Sequence, residues 1–245
     1  MNVALFVTCL VDLMRPRIGF ATLELLEAAG CTVTVPEVQT CCGQPGWNSG
    51  DRASARALAE RVIATFEPFE YVVAPSGSCA GMVRTHYADL FPADAAWRAR
   101  AEALGAKTFE LTDFLVNVAK FSTPAGGWTG RATYHDSCSG LRELGVKAQP
   151  RALLARLPGV QLTEMKDCET CCGFGGTFSV KFGEIAGAMA ETKCGHIADT
   201  GAEAVVLGDL GCMLNIEGRL RRRGDSTTQV LHVAEVLASG GGQAD

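Results

Sequence analysis

The chain has 245 residues, 47% of them hydrophobic and 20% charged, with a formal net charge of −5. That balance excludes a disordered chain and gives a nucleic acid or an acidic membrane no electrostatic footprint to bind. Eleven cysteines, an odd number in a chain too long for a disulfide-stapled mini-domain, point to metal or redox chemistry in a reducing cytoplasm.

Residues 2–8 are apolar and predict a buried first strand. They do not read as a signal peptide, because no basic region precedes them and Asp12 follows closely. A helix is predicted over residues 17–29, with Pro16 at its start and Gly30 at its end. Residues 32–35 alternate as a strand. Residues 51–66 repeat Ala, Leu, Val and Ile at helical spacing, and Asp51 can cap that helix. Residues 71–74 predict a further strand, and 82–90 begin a helix. Residues 122–130, STPAGGWTG, hold four Gly or Pro and interrupt both periodicities. Beyond them, strands are predicted over 132–135, 160–163 and 204–207, and helices over 185–198 and 214–222. No apolar run reaches the ~18 residues of a membrane-spanning helix.

The chain also repeats itself. Cys9, the pair Cys41–Cys42 and Cys79 recur as Cys138, the pair Cys171–Cys172 and Cys212, offset by 129, 130 and 133 residues. The contexts match: CCGQPG against CCGFGG, YVVAPSGSC against AVVLGDLGC, and the amphipathic stretches FELTDFLVNVA against LHVAEVLA. A period this long is a duplicated domain and not a solenoid. The expected fold is therefore α/β and Rossmann-like, with two tandem lobes, each a mostly parallel sheet under covering helices. We expect residues 1–121 to form the first cysteine-rich lobe, 122–130 a linker, and 131–245 the second lobe.

On that architecture every repeated cysteine lies beyond the carboxyl end of a strand, where open α/β sheets bind ligands. Adjacent cysteines share a site only where the backbone turns, and Gly43 and Gly173 permit the turn. Four converging thiolates repel one another and require a cation, and both zinc and iron–sulfur clusters take four-cysteine ligation. Cys31 and Cys194 read as core residues. Cys168 is an additional candidate ligand. His135 and Asp136 read either as partners of the ligands or as satisfied polar residues. Met82 reads as helix packing, and Asn215 stands three residues beyond Cys212 within reach of a metal. A vicinal disulfide is rare and strained. A thiol–disulfide enzyme using Cys41–Cys42 or Cys168–Cys171 predicts a low-pKa thiol in metal-free protein.

With these motifs the chain resembles the cysteine-rich CCG family, over nearly its whole length and both repeats. CCGFGGTFSVKF and GDLGCMLNI look most like its lactate-utilisation branch. The wider family includes the cysteine-rich component of heterodisulfide reductase and the iron–sulfur component of glycolate oxidase. The resemblance implies ligands at Cys9, Cys41, Cys42, Cys79, Cys138, Cys171, Cys172 and Cys212. It implies an iron–sulfur cluster, with the 4Fe–4S type favoured and zinc the alternative. It further implies a cytoplasmic oxidoreductase subunit, not active alone, that passes electrons while L-lactate is oxidised to pyruvate. A ferredoxin-like iron–sulfur subunit and a third lactate-utilisation subunit are the expected partners, and a zinc-binding or metal-free scaffold is the alternative role. Met82 and Asn215 stand where the family motif closes with a further cysteine.

Overall fold

A computed structural model describes residues 1–239. The last six residues assigned above to the second lobe lie outside the described residues. Eight strands form two four-stranded, wholly parallel sheets. The first contains β1 (Asn2–Leu5), β2 (Thr32–Thr34), β3 (Tyr71–Ala74) and β4 (Thr108–Glu110), in the order β2-β1-β3-β4. The second contains β5 (Gly130–His135), β6 (Val160–Leu162), β7 (Ala204–Leu207) and β8 (Gln229–His232), in the order β6-β5-β7-β8. The fold is the expected α/β duplication of parallel sheets under helices.

Both faces of each sheet are buried, which is why the central strands read as continuous apolar runs. Along β1, Val3 and Leu5 enter one core while Ala4 and the following Phe6 enter another. Along β7, Ala204 and Val206 enter the first of these cores and Val205 and Leu207 a third. The core that takes Val3 and Leu5 also takes Tyr134, Val206 and Val233, so the two lobes share one hydrophobic centre. The helix Pro16–Ala28 packs against Val233–Leu237 of the other lobe. The helix Gly77–Gly81 packs against Cys138–Leu144 so closely that a Cβ on Gly77 would lie 2.9 Å from the Gly140 Cα.

Several boundaries differ from the sequence-based expectation. β1 stops at Leu5, and a short helix, Cys9–Met14, begins at the first cysteine. The helices carrying Cys79 and Cys212 start at Gly77 and Leu210, earlier than expected, because Ser76 and Asp209 cap them. FELTDFLVNVA and LHVAEVLA each open with a strand, β4 and β8, that pairs with β3 or β7 before the chain turns helical. The helix Arg52–Phe66 is capped as expected, with Asp51 accepting from the Ser54 N–H at 3.0 Å.

Glu110 ends β4 at the contact between lobes and is 3% exposed. Its Oε2 accepts from the Thr112 N–H at 2.8 Å, the Thr112 hydroxyl at 2.6 Å and the Asp113 N–H at 3.1 Å. Tyr134 and Asp136 of the other lobe line the same small cavity. Burial raises the Glu110 pKa from 4.5 to about 7, against the hydrogen bonds from Thr112 and Asp113.

The folded protein therefore keeps the Glu110 proton where the unfolded chain has lost it. Stability should fall as pH rises from about 4.5 to about 7 and level off above, by up to about 3 kcal/mol. Denaturant midpoints at pH 5 and pH 7 should converge in Glu110→Gln. Gly77→Ala should cost about 1–3 kcal/mol by forcing the two lobes apart, read as a lower denaturant midpoint than that of the parent.

Candidate functional site

In each sheet the strand order reverses between the two central strands, and a crevice opens there beyond their carboxyl ends. Cys9 follows β1 and Cys79 follows β3, so both flank the first crevice. Cys138 and Cys212 follow β5 and β7 and flank the second. The paired cysteines arrive on the loops after β2 and β6. Gly43 (φ 83°) and Gly173 (φ 90°) turn the backbone at once, in the left-handed region where a side chain is strained. At Gly173 a Cβ would also lie 2.6 Å from the Ala186 carbonyl oxygen.

The four thiols of each lobe meet. In the first, Cys42 and Cys79 Sγ are 3.4 Å apart, and Cys41 contacts both Cys9 and Cys42. In the second, Cys171 contacts Cys138 and Cys172, and Cys172 contacts Cys212. The middle sulfur carries the charge in both. Cys41 is held far below the usual thiol range, first by Cys42 and then by Cys9 donating to it, with the Gly43 N–H at 3.5 Å adding to the effect. Cys171 is depressed in the same way by Cys138, then Cys172, with the Gly173 N–H at 3.4 Å. Cys9, Cys42, Cys138 and Cys172 are pushed up, chiefly by their hydrogen bonds to those thiolates. Fully charging each set requires a cation to replace the protons.

Side chains hold the paired loops. The Tyr87 hydroxyl donates to the Cys42 carbonyl at 2.9 Å, and the Asn215 amide donates to the Cys172 carbonyl at 2.8 Å. Asn215 is thus occupied as a loop anchor. Met82 is fully buried in the core beside Phe6 and Phe66. Cys31 is buried in the core shared by the lobes, and Cys194 in the third core, which also takes Cys172 and Cys212, with its thiol 3.7 Å from the Ile216 carbonyl oxygen. The Cys168 thiol stands apart beside Asp136 and Glu164. Asp136 makes a bidentate pair with Arg151 at 2.8 and 2.9 Å.

His135 is the functional candidate that local sequence reasoning underrated. It is fully buried, both ring nitrogens lack a hydrogen-bond partner, and a ring nitrogen lies with Cys172 and Cys212 Sγ in a group whose ligand atoms are all within 4.8 Å. Burial first, and then the charge on Lys193, hold its pKa down to about 3, so the imidazole is neutral. The repeat carries a signal for it: three residues before the first cysteine, this lobe has His135 where the other has Phe6.

The two sets open onto adjoining cavities of about 320 and 160 Å³. Gln44, Asn48, Ser78, Phe174, Gly176 and Asp209 line both. Asp209, 4% exposed, joins the lobes there. Its Oδ1 accepts from the Gly211 N–H at 3.2 Å, at the head of the Cys212 helix. Its Oδ2 accepts from the Ser78 N–H at 2.9 Å and the Ser76 hydroxyl at 3.3 Å, beside Cys79.

The cysteine-rich domain model named CCG matches twice, at residues 3–84 and 132–217, each time spanning one thiol set. The chain belongs to the CCG cysteine-rich family. Among its relatives, Lactate utilization protein A of Geobacillus kaustophilus is 48% identical over 97% of this chain and 98% of its own. The protein of that name from Bacillus subtilis is 48% identical over 98% of this chain and 100% of its own. A crystal structure of a hypothetical protein from Helicobacter pylori has the same fold at a TM-score of 0.70 and 9% identity. It covers all of this chain, which spans 49% of that one. No helix among the described residues is long and apolar enough to cross a membrane.

Asp209→Ala should cost about 1–3 kcal/mol, since it strands donors in both lobes, while Asp209→Asn should cost less. Denaturant midpoints of the two variants against the parent check this.

Proposed function

We propose that this CCG-family chain is an iron–sulfur subunit that carries electrons in a multiprotein system oxidising L-lactate to pyruvate. The observation that carries the reading is the meeting of four thiols, twice, in crevices that the fold opens for ligands. The name borne by relatives of nearly half-identical sequence supplies the substrate. Cys9, Cys41, Cys42 and Cys79 would hold one group, and Cys138, Cys171, Cys172 and Cys212 the other.

The residues present fit such a group on two counts. Each set of thiols shares protons along a chain of sulfur contacts, which bound iron would displace. The second set also has an orphaned, fully buried imidazole beside it. When bound, the cluster supplies a one-electron carrier. The protein's part is to fix the paired sulfurs at glycine turns and those of Cys79 and Cys212 on capped helices. The Gly43 and Gly173 N–H groups stabilise the charged sulfur. Lactate gives up two electrons and two protons on becoming pyruvate. We assign their removal to partner subunits, a ferredoxin-like iron–sulfur protein among them, and transfer onward to this chain in the cytoplasm.

Protein purified anaerobically should be coloured and contain iron and acid-labile sulfide. Replacing Cys172 and Cys212 together by serine should remove about half of both if each lobe holds one cluster. Colourless protein with neither, even after reconstitution, refutes the reading. Stoichiometric zinc without redox-active iron favours a zinc-bound scaffold instead.

A further inference from the structure

The two thiol sets are near copies, but their surroundings are not. Phe6 in the first lobe is fully buried and its ring lies 5.0 Å from that of Phe66. The equivalent His135 pairs with no aromatic ring among the described residues. Neither nitrogen of this imidazole, sealed from water, reaches hydrogen-bond geometry, and the Cys168 carbonyl beside it could satisfy only one of the two. One nitrogen already lies within 4.8 Å of the Cys172 and Cys212 sulfurs.

We infer that His135 is a ligand, through one ring nitrogen, of the metal centre held by the second-lobe cysteines, and that the first lobe binds through thiolates alone. This rests on the metal-binding reading above and adds to it a ligand and a difference between the lobes. Zinc and iron both accept imidazole beside thiolate. The backbone supports the role. The Cys168 carbonyl approaches the ring without reaching hydrogen-bond geometry, and it is held in place by the Asp136 N–H at 3.1 Å and Lys193 Nζ at 3.4 Å. A fixed carbonyl behind a ligating histidine is the usual device for orienting its ring. Asn215, another polar candidate at this site, is held by its Nδ2–H to the Cys172 carbonyl at 2.8 Å.

The test is pulsed EPR on anaerobically reconstituted protein with nitrogen-15 in its histidines, in the parent and in His135→Phe, which copies the first lobe. A histidine nitrogen strongly coupled to the paramagnetic centre is expected in the parent and lost in the variant. A parent without that coupling, or a variant that keeps it, overturns the inference while leaving the iron–sulfur reading intact. If the parent takes up no iron, the iron–sulfur reading fails, and cobalt(II) bound to metal-free protein decides the histidine. Its ligand-field bands should then shift in His135→Phe, and identical bands overturn the inference. If His135→Phe does not fold, His135→Gln takes its place, and a parent without the nitrogen coupling still overturns the inference.

Discussion

The structure turns on one electrostatic constraint: four sulfur atoms are held closer together than four negative charges tolerate. The chain alone meets it by sharing protons, with one thiolate in each set accepting from its neighbours. Much of the local architecture maintains that crowding. Glycines at positive φ turn the paired loops inward, Ser76 and Asp209 fix the helices that present Cys79 and Cys212, and Tyr87 and Asn215 tie down the paired loops. A cation bound there exchanges protons for coordination, so metal binding and proton release are linked.

The lobes do not act as separate beads. They share a hydrophobic centre, and Asp209 caps a helix of one while accepting hydrogen bonds from the other. The same residue lines both cavities. Asp209 thus ties together the two helices that present Cys79 and Cys212.

Duplication preserved the thiols and let their neighbours diverge. Two residues before the first cysteine, Val7 in one lobe is replaced by the ion-paired Asp136 in the other. Three residues before it, Phe6 is replaced by His135. At equal distance beyond the paired cysteines, the buried Ile63 is replaced by Lys193, whose ammonium group donates to the Asp167 and Cys168 carbonyls. At these three positions the first set thus has apolar neighbours where the second has charged or titratable ones. Burial and fixed charge are the protein's chief means of adjusting a bound centre, so equal ligands in these two settings would not behave alike.

The order of the cysteines, the duplication and the alternation of strand and helix are written in the sequence, because each depends on residue type and spacing alone. The strands at Tyr71–Ala74 and Ala204–Leu207 are legible to the residue, being apolar runs bounded by turns. β4 and β8 are not. Three or four residues that run straight into a helix carry no period of their own, and only pairing with β3 and β7 makes them strands. The early starts of the Cys79 and Cys212 helices are masked by glycines that ordinarily signal a turn. Residue order thus establishes which sulfurs exist and at which strand ends they emerge. That they touch, that Asp209 bridges the lobes and that His135 is sealed without a partner emerge only from the folded arrangement. Contact and burial depend on distant segments, the Asp209–Ser76 contact spanning 133 residues, which no local pattern encodes.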